Sequence, residues 1–224
     1  GHTATTARHH RENERKMFLL IDYRMGNLRS VGKAPETVGA AVTVTATPPD
    51  DFTNIAAVVL PGVGHFAAAM QNLQAAGWVD FLAAARAKAI PYLGLCLGLQ
   101  VLYEGSEEAP GVAGLGVIPG TVRKFPPDLR TDGRKLTVPH MGWNQVAHDD
   151  KDPLWAGVPP QSYFYFVHSY YAPVGPATAA TCAYGQPFTA AVRAGTVRAF
   201  QFHPEKSQAG GLRLLENFVQ EVRR

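Results

Sequence analysis

The sequence predicts an α/β domain, a three-layer sandwich whose central sheet is mostly parallel with an added antiparallel portion. Three observations predict it. Through the N-terminal half, short β-rich runs alternate with helical segments, the rhythm of crossover connections between parallel strands. Those runs are largely apolar, as strands covered on both faces are. From about residue 117 the chain changes to short strands joined by turns, which read as partly antiparallel.

The elements follow in order. Met17–Asp22 (MFLLID) is an apolar first strand, ended by a turn at Met25-Gly26-Asn27. Leu28, Val31 and Val38 mark a helix, and Pro35 inside it should kink or restart it. Val42–Thr47, rich in β-branched residues, is a second strand. Ala56–Leu60 is a third, ending in the turn Pro61-Gly62-Val63-Gly64. An Ala-rich helical region runs from His65 to Lys88 with a break near Gly77. Ile90–Leu95 is the next buried strand, followed by a helical run over Leu97–Tyr103. Val117–Phe125, Leu136–Val138, Tyr163–Val167, Ala177–Ala183, Thr189–Val192 and Val197–Phe202 are short strands. Leu212, Leu215, Phe218, Val219 and Val222 recur at helical spacing in a closing amphipathic helix, Gln208–Val222. Residues 17–224 form one domain. Residues 1–16 are polar, Gly1-His2 resembles the scar of a removed tag, and the stretch reads as a disordered extension.

The composition excludes several classes. With 224 residues, 46% hydrophobic and 17% charged, the chain is ordinary globular material with enough length for a real core. The formal charge is +3, and part of it sits in the first sixteen residues, so the folded part is nearly neutral. No concentrated basic run marks a nucleic-acid surface. No apolar stretch approaches the ~20 residues that span a bilayer. Two cysteines, Cys96 and Cys182, make neither a disulfide framework nor a metal site. A reduced, cytoplasmic setting fits them.

Two motifs carry chemistry. Gly94-Leu95-Cys96-Leu97-Gly98 places a cysteine between an apolar strand and a helical run, with a small residue two positions away on each side. That is the pattern of a sharp strand-to-helix turn exposing a nucleophile, held at a helix N-terminus that favours thiolate. Taken alone, a buried structural cysteine flanked by glycines is the competing reading. Phe202-His203-Pro204-Glu205 closes a strand. A nucleophilic cysteine needs a base, and the base needs an orienting acceptor. At this spacing the Glu205 carboxylate can hold the His203 ring. For the aromatic run Tyr163–Tyr171 (YFYFVHSYY), sheet core is a better reading than a ligand box.

Together these motifs resemble the class I (triad) glutamine amidotransferases, over nearly all of Met17–Val222. Gln100 follows Cys96 by four residues, as in that family, and Glu104 follows on what reads as the same helix. The resemblance implies a flavodoxin-like sandwich in which Cys96 attacks the glutamine side-chain amide and forms a γ-glutamyl thioester. His203 acts as base and acid, oriented by Glu205. It also implies that the turn Gly62-Val63 and the N–H of Leu97 form the oxyanion site. Gly64, Gln100, Glu104, Ser169 and Tyr170 would bind glutamine. No cofactor or metal is implied.

Five motifs are similar to those of the glutaminase subunits of imidazole glycerol phosphate synthase, an enzyme of histidine biosynthesis. They are Asp22-Tyr23-x-Met25-Gly26-Asn27-Leu28, Pro61-Gly62-Val63-Gly64-His65-Phe66, Pro139-His140-Met141-Gly142-Trp143-Asn144, His168-Ser169-Tyr170-Tyr171 and Phe202–Ser207. Leu99 stands where anthranilate-type relatives usually have histidine. The resemblance implies a heterodimer with a (β/α)₈-barrel cyclase that receives the ammonia. Asn27, Trp143 and Lys206 would lie at that interface, on strand ends or turns near the triad. It further implies a lone subunit of low activity, with Gly62-Val63 turned away from the thiol until the partner binds. Arg24 departs from the pattern, standing where the family commonly has Gly, and Pro35 interrupts a usually unbroken helix. Other readings are an amidotransferase of another pathway, a silent partner-binding scaffold and a cysteine hydrolase on a similar sheet.

Overall fold

Four of the five side chains in the opening apolar run, β1 (Met17–Ile21), are buried. Phe18 and Leu20 enter one core cluster while Leu19 and Ile21 enter another. A strand with both faces buried needs a layer on each side. The computed structural model, which describes residues 16–26, 28–37 and 39–224, supplies both layers. Helices α1 (Leu28–Thr37) and α5 (Gln208–Arg223) cover one face, through Val31, Leu214, Leu215 and Phe218. Helices α2 (Phe66–Ala75) and α3 (Trp78–Ala87) cover the other, through Phe66, Leu73, Trp78 and Phe81. Gly77, at φ +82°, separates α2 from α3 as the sequence predicts.

The remaining elements in chain order are β2 (Val42–Thr45), β3 (Ile55–Leu60), β4 (Tyr92–Leu95), the one-turn helix α4 (Leu97–Gln100), β5 (Tyr103–Ser106) and β6 (Ile118–Lys124). Next come β7 (Arg130–Thr131), β8 (Arg134–Lys135), β9 (His140–His148), β10 (Ser162–His168), β11 (Tyr170–Tyr171), β12 (Thr178–Ala183), β13 (Pro187–Ala194) and β14 (Val197–Phe200). The main sheet has nine strands in the order β10-β9-β12-β13-β14-β4-β3-β1-β2. From β2 to β14 the pairs are parallel, and from β14 to β10 they are antiparallel. A small sheet, β11-β6-β5, stands beside it.

Two devices anchor β14, the hinge between the halves. Phe202, just beyond it and fully buried, lies with ring centroids 4.4 Å from Phe164 and 4.9 Å from Phe200. Burying each such ring stabilises by about 1.5–3 kcal/mol. Arg198, only 2% exposed, makes a bidentate pair with Asp152 at 2.7 and 2.9 Å and a further bond to Glu221 of α5 at 2.7 Å. A buried guanidinium requires such saturation by carboxylates.

Several expectations are corrected. Helix α1 runs through Pro35 to Thr37 without restarting, because the proline falls in its last turn. Val38 lies outside the described residues, as do residues 1–15, so the extension expected over 1–16 is described only at Lys16. The helical run expected over Leu97–Tyr103 stops at Gln100, and Tyr103 opens β5. Leu136–Val138 is not a strand; the hairpin β7–β8 precedes it and Pro139, lacking an N–H, separates it from β9. Strand β9 itself was not foreseen. Arg24 adopts φ +66°, a left-handed conformation that explains why glycine suits this position.

Candidate active site

Three adjacent parallel strands, β3, β4 and β14, end side by side, with Leu60 opposite Gly94 and Leu95 opposite Phe200. Chain directions therefore deliver the turn Pro61–Gly64, Cys96 and His203 to one edge. Sites in such sheets form at the carboxyl ends of strands. Cys96 sits at φ +54° and ψ −105°, a strained turn between β4 and α4, and is only 6% exposed. Its N–H donates to the Phe200 carbonyl at 2.8 Å. The flanking glycines are a packing requirement: a Cβ on Gly94 would lie 2.3 Å from the Gly98 carbonyl oxygen. One on Gly98 would lie 2.0 Å from that of Leu60. Helix α4 is a single turn, so its dipole contributes little at the sulfur.

His203 is held by its neighbours. Its N–H donates to the Tyr165 carbonyl at 3.0 Å, and its own carbonyl accepts from the Ser207 hydroxyl at 2.6 Å. Nδ1 lies 2.7 Å from Glu205 Oε1, whose side chain is 3% exposed. Burial pushes the imidazole pKa down. The neighbouring Cys96 sulfur and the Glu205 carboxylate outweigh burial and raise it to about 10. Nε2, the nitrogen left over, is buried and makes no hydrogen bond of good geometry.

The elements expected to form the oxyanion site lie close together and are bonded to each other. The Leu97 N–H donates to the Gly62 carbonyl at 3.1 Å, so this donor is occupied. Gly62 has φ +148°, and a Cβ there would lie 2.0 Å from the Tyr23 hydroxyl. That hydroxyl, its pKa raised by burial and kept a donor, bonds the Pro61 carbonyl at 2.5 Å. Gly26 packs on the other side, where a Cβ would be 3.5 Å from the Val63 nitrogen.

A cavity of about 180 Å³ opens on the sulfur, lined by Val63, Gly64, Cys96, Leu97, Gln100, Ser169 and Tyr170 from the expected set. Glu104 is not among its walls. Because α4 ends at Gln100, Glu104 falls on β5, exposed, and its Oε2 accepts from the Gly120 N–H at 3.1 Å. The acid that does line the cavity is Glu108, whose Oε1 accepts from the Phe66 N–H at 2.6 Å. A larger apolar cavity of about 380 Å³ lies under α3 at the opposite strand ends, remote from Cys96.

Behind the cavity two histidines form a directed chain. A carbonyl only accepts, so His168 Nδ1 must donate to the Tyr170 carbonyl, 2.8 Å away. Its Nε2 then accepts from His140 Nδ1 at 2.9 Å, and His140 Nε2 accepts from Asn144 Nδ2 at 3.2 Å. Both rings must be neutral for this pattern. Burial accordingly lowers His140 to about 4, and burial with the neighbouring His140 lowers His168 to about 3.

Of the expected interface residues, Lys206 is exposed on the short turn after His203. Trp143 is not at a strand end: it is central in β9, half exposed, and opposite Tyr165. Asn27 lies outside the described residues. Met141, part of the Pro139–Asn144 motif but not of the expected interface set, projects from β9 with 63% exposure. Among the described residues no group of three or more His, Cys, Asp or Glu is placed to hold a metal, and no helix is long and apolar enough to cross a membrane.

Residues 19–222 match the family model "Glutamine amidotransferase class-I". The chain is 52% identical to the imidazole glycerol phosphate synthase subunit HisH of Methylococcus capsulatus, over 89% of this chain and 94% of that one. It is 47% identical to the subunit of the same name from Acaryochloris marina, over 92% and 95%. Among solved structures, one described as a glutamine amidotransferase superposes with a TM-score of 0.67 at 18% identity, covering 92% of this chain and 98% of that one. PurLQS from Thermotoga maritima does so with a TM-score of 0.67 at 14% identity, covering 92% and 99%. These last two likenesses speak for the fold.

Proposed function

Because the chain belongs to the class-I glutamine amidotransferases, within the HisH subunits of imidazole glycerol phosphate synthase, we propose that Cys96, His203 and Glu205 release ammonia from glutamine for histidine biosynthesis. The observation that carries the roles is the placement of Cys96 and the Glu205-held His203 on the ends of adjoining strands. His203 Nε2 takes the thiol proton before Sγ attacks the side-chain carbonyl carbon of glutamine. The carbon–nitrogen bond then breaks and ammonia leaves with that proton. A water, deprotonated by the same nitrogen, cleaves the thioester to glutamate and returns the thiol. Glu205 keeps Nε2 turned toward the sulfur. Glu108 is suited to the α-amino group of glutamine, and Gln100, Ser169 and Tyr170 to its remaining polar atoms, since all line the cavity at the sulfur.

The oxyanion needs the Leu97 N–H, which the Gly62 carbonyl holds in this state. Exchanging that hydrogen bond costs about 0.5–1.5 kcal/mol before strain, whereas lacking one oxyanion donor lowers turnover about 10²–10³-fold. Rotation of the Pro61–Gly64 turn is thus the natural point of control, and a partner that stabilises the rotated state activates by population shift. The partner we propose is a (β/α)₈-barrel cyclase, docking near the triad edge with exposed Met141, Trp143 and Lys206. A cytoplasmic setting accords with two buried, unpaired cysteines.

The test is glutamate release by the chain alone and with the cyclase and its nucleotide ligand, for wild type and Cys96→Ala. Stimulation by the partner, loss of glutamine-driven turnover in Cys96→Ala, and retention of ammonia-driven turnover are expected. Vigorous activity without the partner would point to a stand-alone glutaminase. Parallel loss of both activities in a folded Cys96→Ala complex would remove the triad assignment.

A further inference from the structure

We propose that Gln201 is a further catalytic residue, whose side-chain N–H meets the sulfur of Cys96 whenever that sulfur carries negative charge. The proposal rests on the glutaminase reading for the reaction and on geometry for the contact. Gln201 lies between Phe200 and Phe202, is fully buried, and its backbone N–H is fixed to the Ala190 carbonyl at 2.9 Å. Its Nε2 is 3.7 Å from Cys96 Sγ, within range for a sulfur acceptor.

The direction of this amide follows from its neighbours. The Tyr170 carbonyl can only accept, so the Gln100 amide must turn its NH₂ toward it, at 3.0 Å. The second hydrogen of that NH₂ goes to Gln201 Oε1, also at 3.0 Å. With Oε1 accepting, the NH₂ of Gln201 is left facing the sulfur. Flipping it would set two NH₂ groups against each other in a buried site, leaving donors unpaired. His168 donates to the same Tyr170 carbonyl and adds to its fixed position.

A preoriented donor in a buried site helps most where charge develops. Charge develops on sulfur twice: when the thiol proton passes to His203 before attack, and when the thioester carbon–sulfur bond breaks with its electron pair going to sulfur. Removing the donor therefore slows bond-making and bond-breaking.

Two variants test this in the reconstituted complex. Gln201→Met keeps length and burial without a donor, and also removes the acceptor of the Gln100 amide; Gln201→Glu keeps that acceptor and puts a carboxylate beside the sulfur. A fall in kcat of at least about tenfold, from losing a hydrogen bond to a charged group, is expected for both variants, with the KM of Gln201→Glu, which keeps the Gln100 contact, within about twofold of wild type. The rate of Cys96 alkylation by iodoacetamide at fixed pH, followed on the Cys96 peptide, should fall by a similar factor, and further for Glu. Alkylation needs neither glutamine nor partner, so it remains readable if the glutaminase reading fails. Melting curves identify an unfolded variant, in which case the other decides. Alkylation and kcat unchanged in a folded variant, or a loss confined to KM, would overturn the proposal.

Discussion

Substituting Gly98 by alanine probes the elbow most directly. The added Cβ would sit 2.0 Å from the Leu60 carbonyl oxygen and 3.0 Å from its carbonyl carbon. Close carbon–oxygen contacts in proteins stop at about 3.3 Å, so α4 and β3 must part by roughly 1.3 Å. Both obstacles are backbone and no flexible side chain can yield. Overpacking of this kind costs about 1–3 kcal/mol, which for a domain of this size lowers Tm by roughly 2–12 °C. The displacement also carries Cys96 and the Leu97 N–H away from the Pro61–Gly64 turn, and misplacement by about 1 Å costs on the order of 10²-fold in rate. Melting curves and partner-stimulated kcat/KM measure the two effects. Gly175→Ala, at a position with nothing within 4 Å of the new Cβ, is the control. If Gly98→Ala melts and turns over like that control, the close-packing account of the elbow is wrong.

Two other expectations follow from the cavity and the histidine chain. Glu108→Gln should raise KM for glutamine about tenfold, from loss of a charge-assisted bond, while ammonia-driven synthesis is unchanged; steady-state kinetics with each nitrogen source decides it. His140 and His168 have pKa values lowered on folding, to about 4 and about 3, so their contribution is complete above the unfolded value near 6.5. It is lost progressively as pH falls from there through the folded values, because the unfolded chain binds the protons first. Denaturant unfolding between pH 7.5 and 4.5 should show a loss on the order of a few kcal/mol, reduced in His140→Gln; a flat profile in the wild type would contradict buried neutral rings.

What could be read in the sequence was what short-range constraints impose. The glycines around Cys96 and the two-residue spacing of His203 and Glu205 each encode local geometry, and the structure shows the contacts that require them. Glu104 was misassigned because the helical pattern after Cys96 continues in the residues but not in the chain. Leu115 and Val117 donate to the carbonyls of Val101 and Leu102, which turns the segment into β5. Glu108 carries no local mark at all; its partner, the Phe66 N–H, is remote in sequence and is met only through the fold. Strand β9 escaped notice because its bulky apolar residues, Met141 and Trp143, point outward while His140 and Val146 are buried, the reverse of an ordinary half-buried strand.

The position of β14 has a bearing on synthesis. Among the described residues it is the last strand along the chain, yet it lies between β13 and β4 in the sheet, and His203, the proposed base, follows it closely. More of the chain separates Cys96 from His203 than precedes Cys96. Until β14 joins the sheet, β4 has one open edge and the thiol lacks its proposed base. Long-range pairing of this kind closes late. Completion of the sheet and completion of the proposed triad are then a single event, and a chain whose β14 is not in place would lack the base that the proposed glutamine chemistry needs.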